Sequence, residues 1–232
     1  MELIWQGIIE ALRLLISGDP EVLGITFLTL KVSGIATLMS LLIGLPLGTI
    51  IGLTEFPGRR LVLSIVNTGM GLPPVVVGLW VSIFLWRSGP FGFLNIMYTP
   101  TAIIIAQAII ASPIVVGLTS AALQATNPKL RLQIRALGAN HFQYIFLLLK
   151  EIRFSLLAAV IAGFGAVISE VGASMAVGGN IKGQTRVLTT ATVLEVSKGN
   201  FDIAIALSII LSLLAYGVTV FLTLLQQKRQ GR

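Results

Sequence analysis

Long apolar runs separated by short polar stretches dominate the chain, and their lengths predict five membrane-crossing helices. The first run extends from about Leu23 to Leu53. At about 1.5 Å per residue it reaches roughly 46 Å, beyond a hydrocarbon core of about 30 Å, so it must tilt, kink near Pro46 or project. The second, about Leu61 to Trp86, contains Gly71-Leu72-Pro73-Pro74, where two missing backbone donors predict a bend or an unwound turn. Such breaks persist in a bilayer only where protein or a water-filled cavity satisfies the freed groups. The third run covers about Thr101 to Leu123, the fourth about Phe154 to Val171, and the fifth about Ile203 to Leu225. Ahead of them, residues 1–22 form a separate segment. Ile4, Trp5, Ile8, Ile9, Leu12, Leu15 and Ile16 fall near helical spacing among Glu2, Glu10 and Arg13, the pattern of an amphipathic helix at the membrane interface. It opens with an acid and runs into Gly18-Asp19-Pro20, unlike a cleavable signal, so it is expected to be retained.

Composition narrows the class to an all-α polytopic membrane protein. The chain has 232 residues, 55% hydrophobic and only 11% charged, whereas soluble domains carry about 25% charged residues. The absence of cysteine excludes disulfides and thiolate chemistry. One histidine, His141, gives no reason to expect a metal site. The net charge of +7 reports topology and anionic lipid in a chain this apolar, and no nucleic-acid partner is expected.

The placement of those charges orients the chain. Arg59 and Arg60, then Lys129, Arg131, Arg135, Lys150 and Arg153, then Lys228, Arg229 and Arg232 fall on one side, ten cations against five on the other. The positive-inside bias places the 127–153 loop and the C-terminus in the cytoplasm, including a basic tail at 227–232, and the N-terminus outside. The 127–153 loop therefore faces ATP. No GxxxxGK[ST] sequence is present, so ATP and magnesium are expected on a partner chain, with no cofactor in this one. With no cluster of His, Asp and Glu, and only Glu170 as an acid near the spans, a transport subunit rather than an enzyme is expected.

The loop from Asn127 to Arg153 has its own internal pattern. Asn127-Pro128 suits a helix start, Gly138 permits a sharp turn, and Asn140 can cap a second helix. Helix, turn and helix at a membrane surface make a compact knob that can dock in a cleft of a soluble protein. His141 is expected to contact that protein.

The stretch RALGANHFQYIFLLLKEIR, with Arg135, Ala136, Leu137, Gly138, Ala139, Asn140 and His141 at its head, resembles the cytoplasmic coupling loop of ATP-binding-cassette (ABC) transporter permeases. Gly138 falls on that family's glycine. Leu132, Gln133 and Ile134 replace its Glu-Ala-Ala, and Leu148, Lys150 and Glu151 stand where Ile, Leu and Pro are usual. Asn67 to Leu79 and Ile168 to Thr192 are similar to permeases of tungstate uptake systems, and the second stretch is also similar to molybdate permeases. The likeness covers about Leu23 to Gln226, the transmembrane domain 23–226. It implies the fold of small importer permeases of the methionine-transporter type and a second copy of the chain. It also implies two ABC ATPase subunits, an extracytoplasmic binding protein, and residence in the cell membrane of a prokaryote. The implied cargo is an oxyanion, tungstate first, with molybdate or sulfate as alternatives. An ATP-independent channel is the remaining reading outside that family.

Residue chemistry suggests where such an anion passes. A tetrahedral dianion suits a partly hydrated path of hydroxyls, amides and backbone N–H groups with a few cations. Ser169, Ser174, Asn180, Gln184 and Thr185 offer the former, and Lys182 and Arg186, four apart, would share a face on a helix. These residues, with Pro73 and Pro74 shaping the second span, are the expected path or outer gate. Glu170 would repel an anion, so a structural role is expected, pairing with a cation such as Lys31 or capping backbone.

Overall fold

Apolar periodicity becomes eleven helices in a computed structural model that describes residues 2–228. They are α1 (Glu2–Ser17), α2 (Pro20–Leu53), α3 (Arg59–Gly71), α4 (Pro74–Leu85), α5 (Pro100–Gln124) and α6 (Pro128–Ala136), followed by α7 (His141–Glu151), α8 (Arg153–Ile168), α9 (Gly172–Gly178), α10 (Leu188–Lys198) and α11 (Phe201–Lys228). A single 3-10 turn, Gly92–Leu94, interrupts the loop before α5. The expected basic tail, apart from the backbone of its first residues, lies outside the described residues.

Three helices, α2, α5 and α11, are each long and apolar enough to cross a membrane, and two bent pairs bring the total to five. The pair α3 and α4 turns through 102° at Leu72-Pro73, and the pair α8 and α9 turns through 58°. Pro73 precedes the first residue of α4, where a proline costs no intrahelical hydrogen bond. Pro46, by contrast, leaves α2 unbroken through 34 residues. The helix accommodates it on an exposed face, away from the neighbour that holds α2 in place.

That neighbour is α5, and the contact is written in glycine. A Cβ on Gly44 would stand 2.6 Å from Val115 Cβ, one on Gly48 would stand 2.7 Å from Thr119 Cβ, and one on Gly52 would stand 3.0 Å from Leu123 Cβ. Each step of four residues on α2 matches a step of four on α5, so the helices run parallel. Small residues at this spacing let backbones approach where no hydrophobic effect drives association. The two broken spans interlock in the same way: Gly78 of α4 lies on Ala173 of α9, and Gly172 of α9 lies on Val75 of α4.

The N-terminal segment is helical, as its amphipathic pattern suggested, and one side of it is packed on the protein. Ala11 is buried, and Gly7 packs directly on Ile205, so α1 is docked along the start of α11. Trp5, Ile9, Leu12 and Ile16 remain on its exposed side. Gly18, at φ +64°, turns the chain, and Asp19 accepts from the amides of Glu21 and Val22 to start α2. The helix thus begins at Pro20, within the segment 1–22 assigned to the N-terminal element.

Candidate functional site

The 127–153 loop folds as a two-helix knob. Asn127 accepts from the amide of Lys129 to open α6. Asn140 and Gln143 exchange reciprocal side-chain-to-backbone bonds of 2.9 Å, which open α7. Gly138, at φ +79°, makes the reversal between the helices. Arg135 stacks its guanidinium 4.7 Å from the Tyr144 ring centroid, joining α6 to α7.

Leu123, Ile134, Tyr144, Leu148 and Ile152 form one buried cluster that fixes the knob to the end of α5, with Ala139 against its edge. Outside it, Ala136 and His141 are exposed, and Leu137 and Phe142 are 88% and 84% exposed. Phe146 and Leu132 are exposed as well, so the knob presents apolar side chains outward alongside the exposed Arg135 and His141. Exposed apolar side chains among polar ones on a compact projection are the form of a docking surface.

At the other end of the spans, the segment 169–192 is organised by internal hydrogen bonds. Glu170 is only 6% exposed. Its Oε1 accepts from the amide of Ala173 at 2.7 Å, capping the start of α9, and no ion pair joins it to Lys31 among the described residues. Of the two roles expected for this acid, the backbone cap is the one adopted. Its own carbonyl oxygen accepts from Thr189 Oγ1 at 2.9 Å.

Several residues expected on an open polar path are committed elsewhere. Ser174 Oγ accepts from Gln107 Nε2 at 3.2 Å inside the protein. Thr185 Oγ1 donates to the Gly178 carbonyl at 2.6 Å and accepts from the amide of Ile181, closing the 178–185 turn. Asn180, at φ +51°, donates to the Thr190 carbonyl. These side chains build the wall and hold its shape, while Ser169 and Gln184 stay exposed, as does Pro73 at the facing break, with Pro74 half-buried.

Lys182 and Arg186 require a correction. They lie on a turn rather than a helix, because Gly183, at φ +72°, and the Thr185 bonds close the chain there. They converge nonetheless, on one carboxylate: Lys182 Nζ is 2.6 Å from Glu21 Oε2, and Arg186 Nη1 is 3.5 Å from Glu21 Oε1. Glu21 was not singled out in the sequence, where it reads as an ordinary first-turn acid of α2. Its partners are 161 and 165 residues away, a separation that leaves no local signal. Leu188 also donates its amide to Thr29 Oγ1 at 2.9 Å, a second tie between this segment and α2.

Comparison with known proteins places this architecture. The family described as the inner membrane component of binding-protein-dependent transport systems matches residues 44–231. The chain is 40% identical, over 98% of its length and all of the relative's, to the tungstate uptake system permease protein TupB of Peptoclostridium acidaminophilum. It is 27% identical to the molybdenum transport system permease protein ModB of Escherichia coli K12, covering 92% of this chain and 98% of that one. In fold it is similar to a chain of the inward-facing MetNI methionine ABC transporter. The TM-score is 0.75 at 20% identity, with 90% of this chain and 98% of that chain covered.

Proposed function

The chain belongs to the family of binding-protein-dependent transport system inner membrane components, and from that premise we propose that it is the permease of an ATP-driven tungstate importer. The observation that carries this reading is the 40% identity maintained from end to end with a tungstate uptake permease. Molybdate, the nearest anion in size and charge, is the second reading, favoured by the full-length likeness at 27%. The family and the apolar helices together make it a multi-pass inner membrane protein.

In the proposed assembly, two copies of the chain face each other across the membrane. Their knobs sit in clefts of two ATPase subunits that carry ATP and magnesium. An external binding protein delivers the anion to the 169–192 face, with the N-terminus on that side and the C-terminus in the cytoplasm. The cation asymmetry of the loops supports this orientation. Closure of the ATPases moves the knobs, and each knob moves α5 with it through their shared apolar cluster. The bends at Pro73 and at Ser169 to Val171 are the points where the broken spans can change angle.

The deciding experiment is ATP-dependent uptake into proteoliposomes that hold the permease, its ATPase and its binding protein, with tungstate, molybdate and sulfate in competition. Tungstate uptake that requires ATP and is outcompeted least by sulfate is expected. Uptake indifferent to ATP would establish a channel instead.

A further inference from the structure

Beside the Glu21 clamp lies a cavity of about 490 Å³, walled by α2 and the 181–187 turn. Its charged lining residues are Lys31, Lys182, Arg186 and Glu21. Two of the three cations share the single carboxylate, and Lys31 has no acidic partner among the described residues. The formal balance of the lining is therefore +2. Arg186 Nε is buried and without an acceptor, although a buried guanidinium N–H ordinarily has one. Ile25, Phe27 and Leu28, on the same helix as Glu21 and Lys31, add an apolar strip to the lining.

We infer that this cavity is a binding site for a doubly charged tetrahedral oxyanion, and that the Glu21 carboxylate occupies its cations until such an anion displaces it. The inference rests on the permease reading and adds to it a defined external station and an internal competitor. The charge of a dianion matches the excess of the lining. The volume admits the ion with part of its hydration shell, at about 30 Å³ per water. Lys and Arg N–H groups are the donors that such oxygens take. Glu21 sets the affinity low: an anion must replace a carboxylate already in place, which suits a station that has to release its occupant. Displacement also removes the ion pairs that tie the 181–187 turn to α2, so occupancy loosens the outer end of the chain.

A lipid phosphodiester presents similar oxygens with a single charge, so the test separates the two. The full-length chain is placed in phosphatidylcholine nanodiscs, without ATP or binding protein, and tungstate binding is measured by equilibrium dialysis with elemental detection. One saturable site per chain is expected, with sulfate competing. Lys31→Gln breaks no ion pair and should weaken binding by about tenfold with unchanged thermal stability. Glu21→Gln should tighten it by a similar factor. Equal affinity in wild type and both variants overturns the site. So does binding of phosphatidylglycerol alone, sensitive to Lys31, with no tungstate uptake by the cavity. ATP-driven tungstate transport in a chain whose dialysis shows no Lys31 dependence would sink this inference and leave the permease reading intact.

Discussion

The guanidinium of Arg131 donates to the carbonyl oxygen of Leu123, joining the first helix of the knob to the last turn of α5. That carbonyl is one of the four that a helix leaves without an internal partner at its C-terminal end, where a cation is also favoured by the helix dipole. Arg59 makes the equivalent bond to Ile51 at the end of α2, at 2.8 Å. Both helix ends on the side of the knob are thus closed by an arginine eight residues further along the chain.

Arg131→Met should cost about 1.5–3 kcal/mol, the range for a hydrogen bond from a charged donor. It should lower tungstate transported per ATP hydrolysed, because the knob then moves without drawing α5 fully with it. Arg131→Lys, which can still reach the carbonyl, should recover part of the loss. Parallel uptake and phosphate-release measurements in proteoliposomes give the ratio, and an unchanged ratio in the Met variant would remove Arg131 from the linkage.

Gly138→Val places a β-branched residue at φ +79°, which costs roughly 1–2 kcal/mol in backbone strain. No atom stands within 4 Å of the added Cβ, so the loss is conformational rather than steric and the knob reorients. ATP hydrolysis with several-fold less uptake is the expected phenotype. Normal uptake would show that the turn geometry is not used in docking.

Gly48→Val drives a side chain into Thr119 and the Val116 carbonyl. Overpacking of this kind costs about 1–3 kcal/mol, and the purified protein should unfold at lower temperature in a detergent thermal-shift assay. Gly34→Ala serves as the control, since its Cβ meets nothing within 4 Å. Equal shifts in the two variants would count against the glycine seam.

Acid should loosen the C-terminal end of α10. Lys198 and Asn200 hydrogen-bond to the Glu195 carboxylate at 2.8 and 2.7 Å and hold its pKa below the usual 4.5. A carboxyl whose folded pKa is depressed adds stability above its unfolded pKa, and that stability is lost as pH falls through the folded value. The window therefore lies below about pH 4.5. Hydrogen exchange of the α10 amides should rise across it, and Asn200→Ala should shrink the pH dependence. A flat profile in the wild type would contradict the assignment.

Much of this was legible because its causes are local. Asn127, Gly138 and Asn140 set the knob through caps and a turn that each need only a few neighbouring residues. Pro73 marked a bend for the same reason. Pro46 did not break α2, because the consequence of a proline depends on the helix packed opposite, and α5 is packed along this part of α2. The four-residue spacing of Lys182 and Arg186 suggested a helix that Gly183 and Thr185 prevent. Glu21 was illegible as their partner, since only the folded chain brings the start of α2 to the turn after α9. The hydroxyls after Ser169 suggested a wet path, but composition cannot distinguish a hydroxyl facing water from one already bonded, as Ser174 and Thr185 are.

The glycine seam gives α2 and α5 a common motion. Because the two helices run parallel and touch at Gly44, Gly48 and Gly52, they tilt as a single beam. At about 1.5 Å per residue, α2 is roughly 50 Å long, so a tilt of about 5° about its end beside the knob carries its opposite end through roughly 4 Å. That displacement exceeds the 2.6 Å between Lys182 and Glu21. A small angular input at the knob is thus large enough to reach the clamp at the far side, and it opens the clamp only where the Leu188 to Thr29 bond, which ties the same segment to α2, also yields.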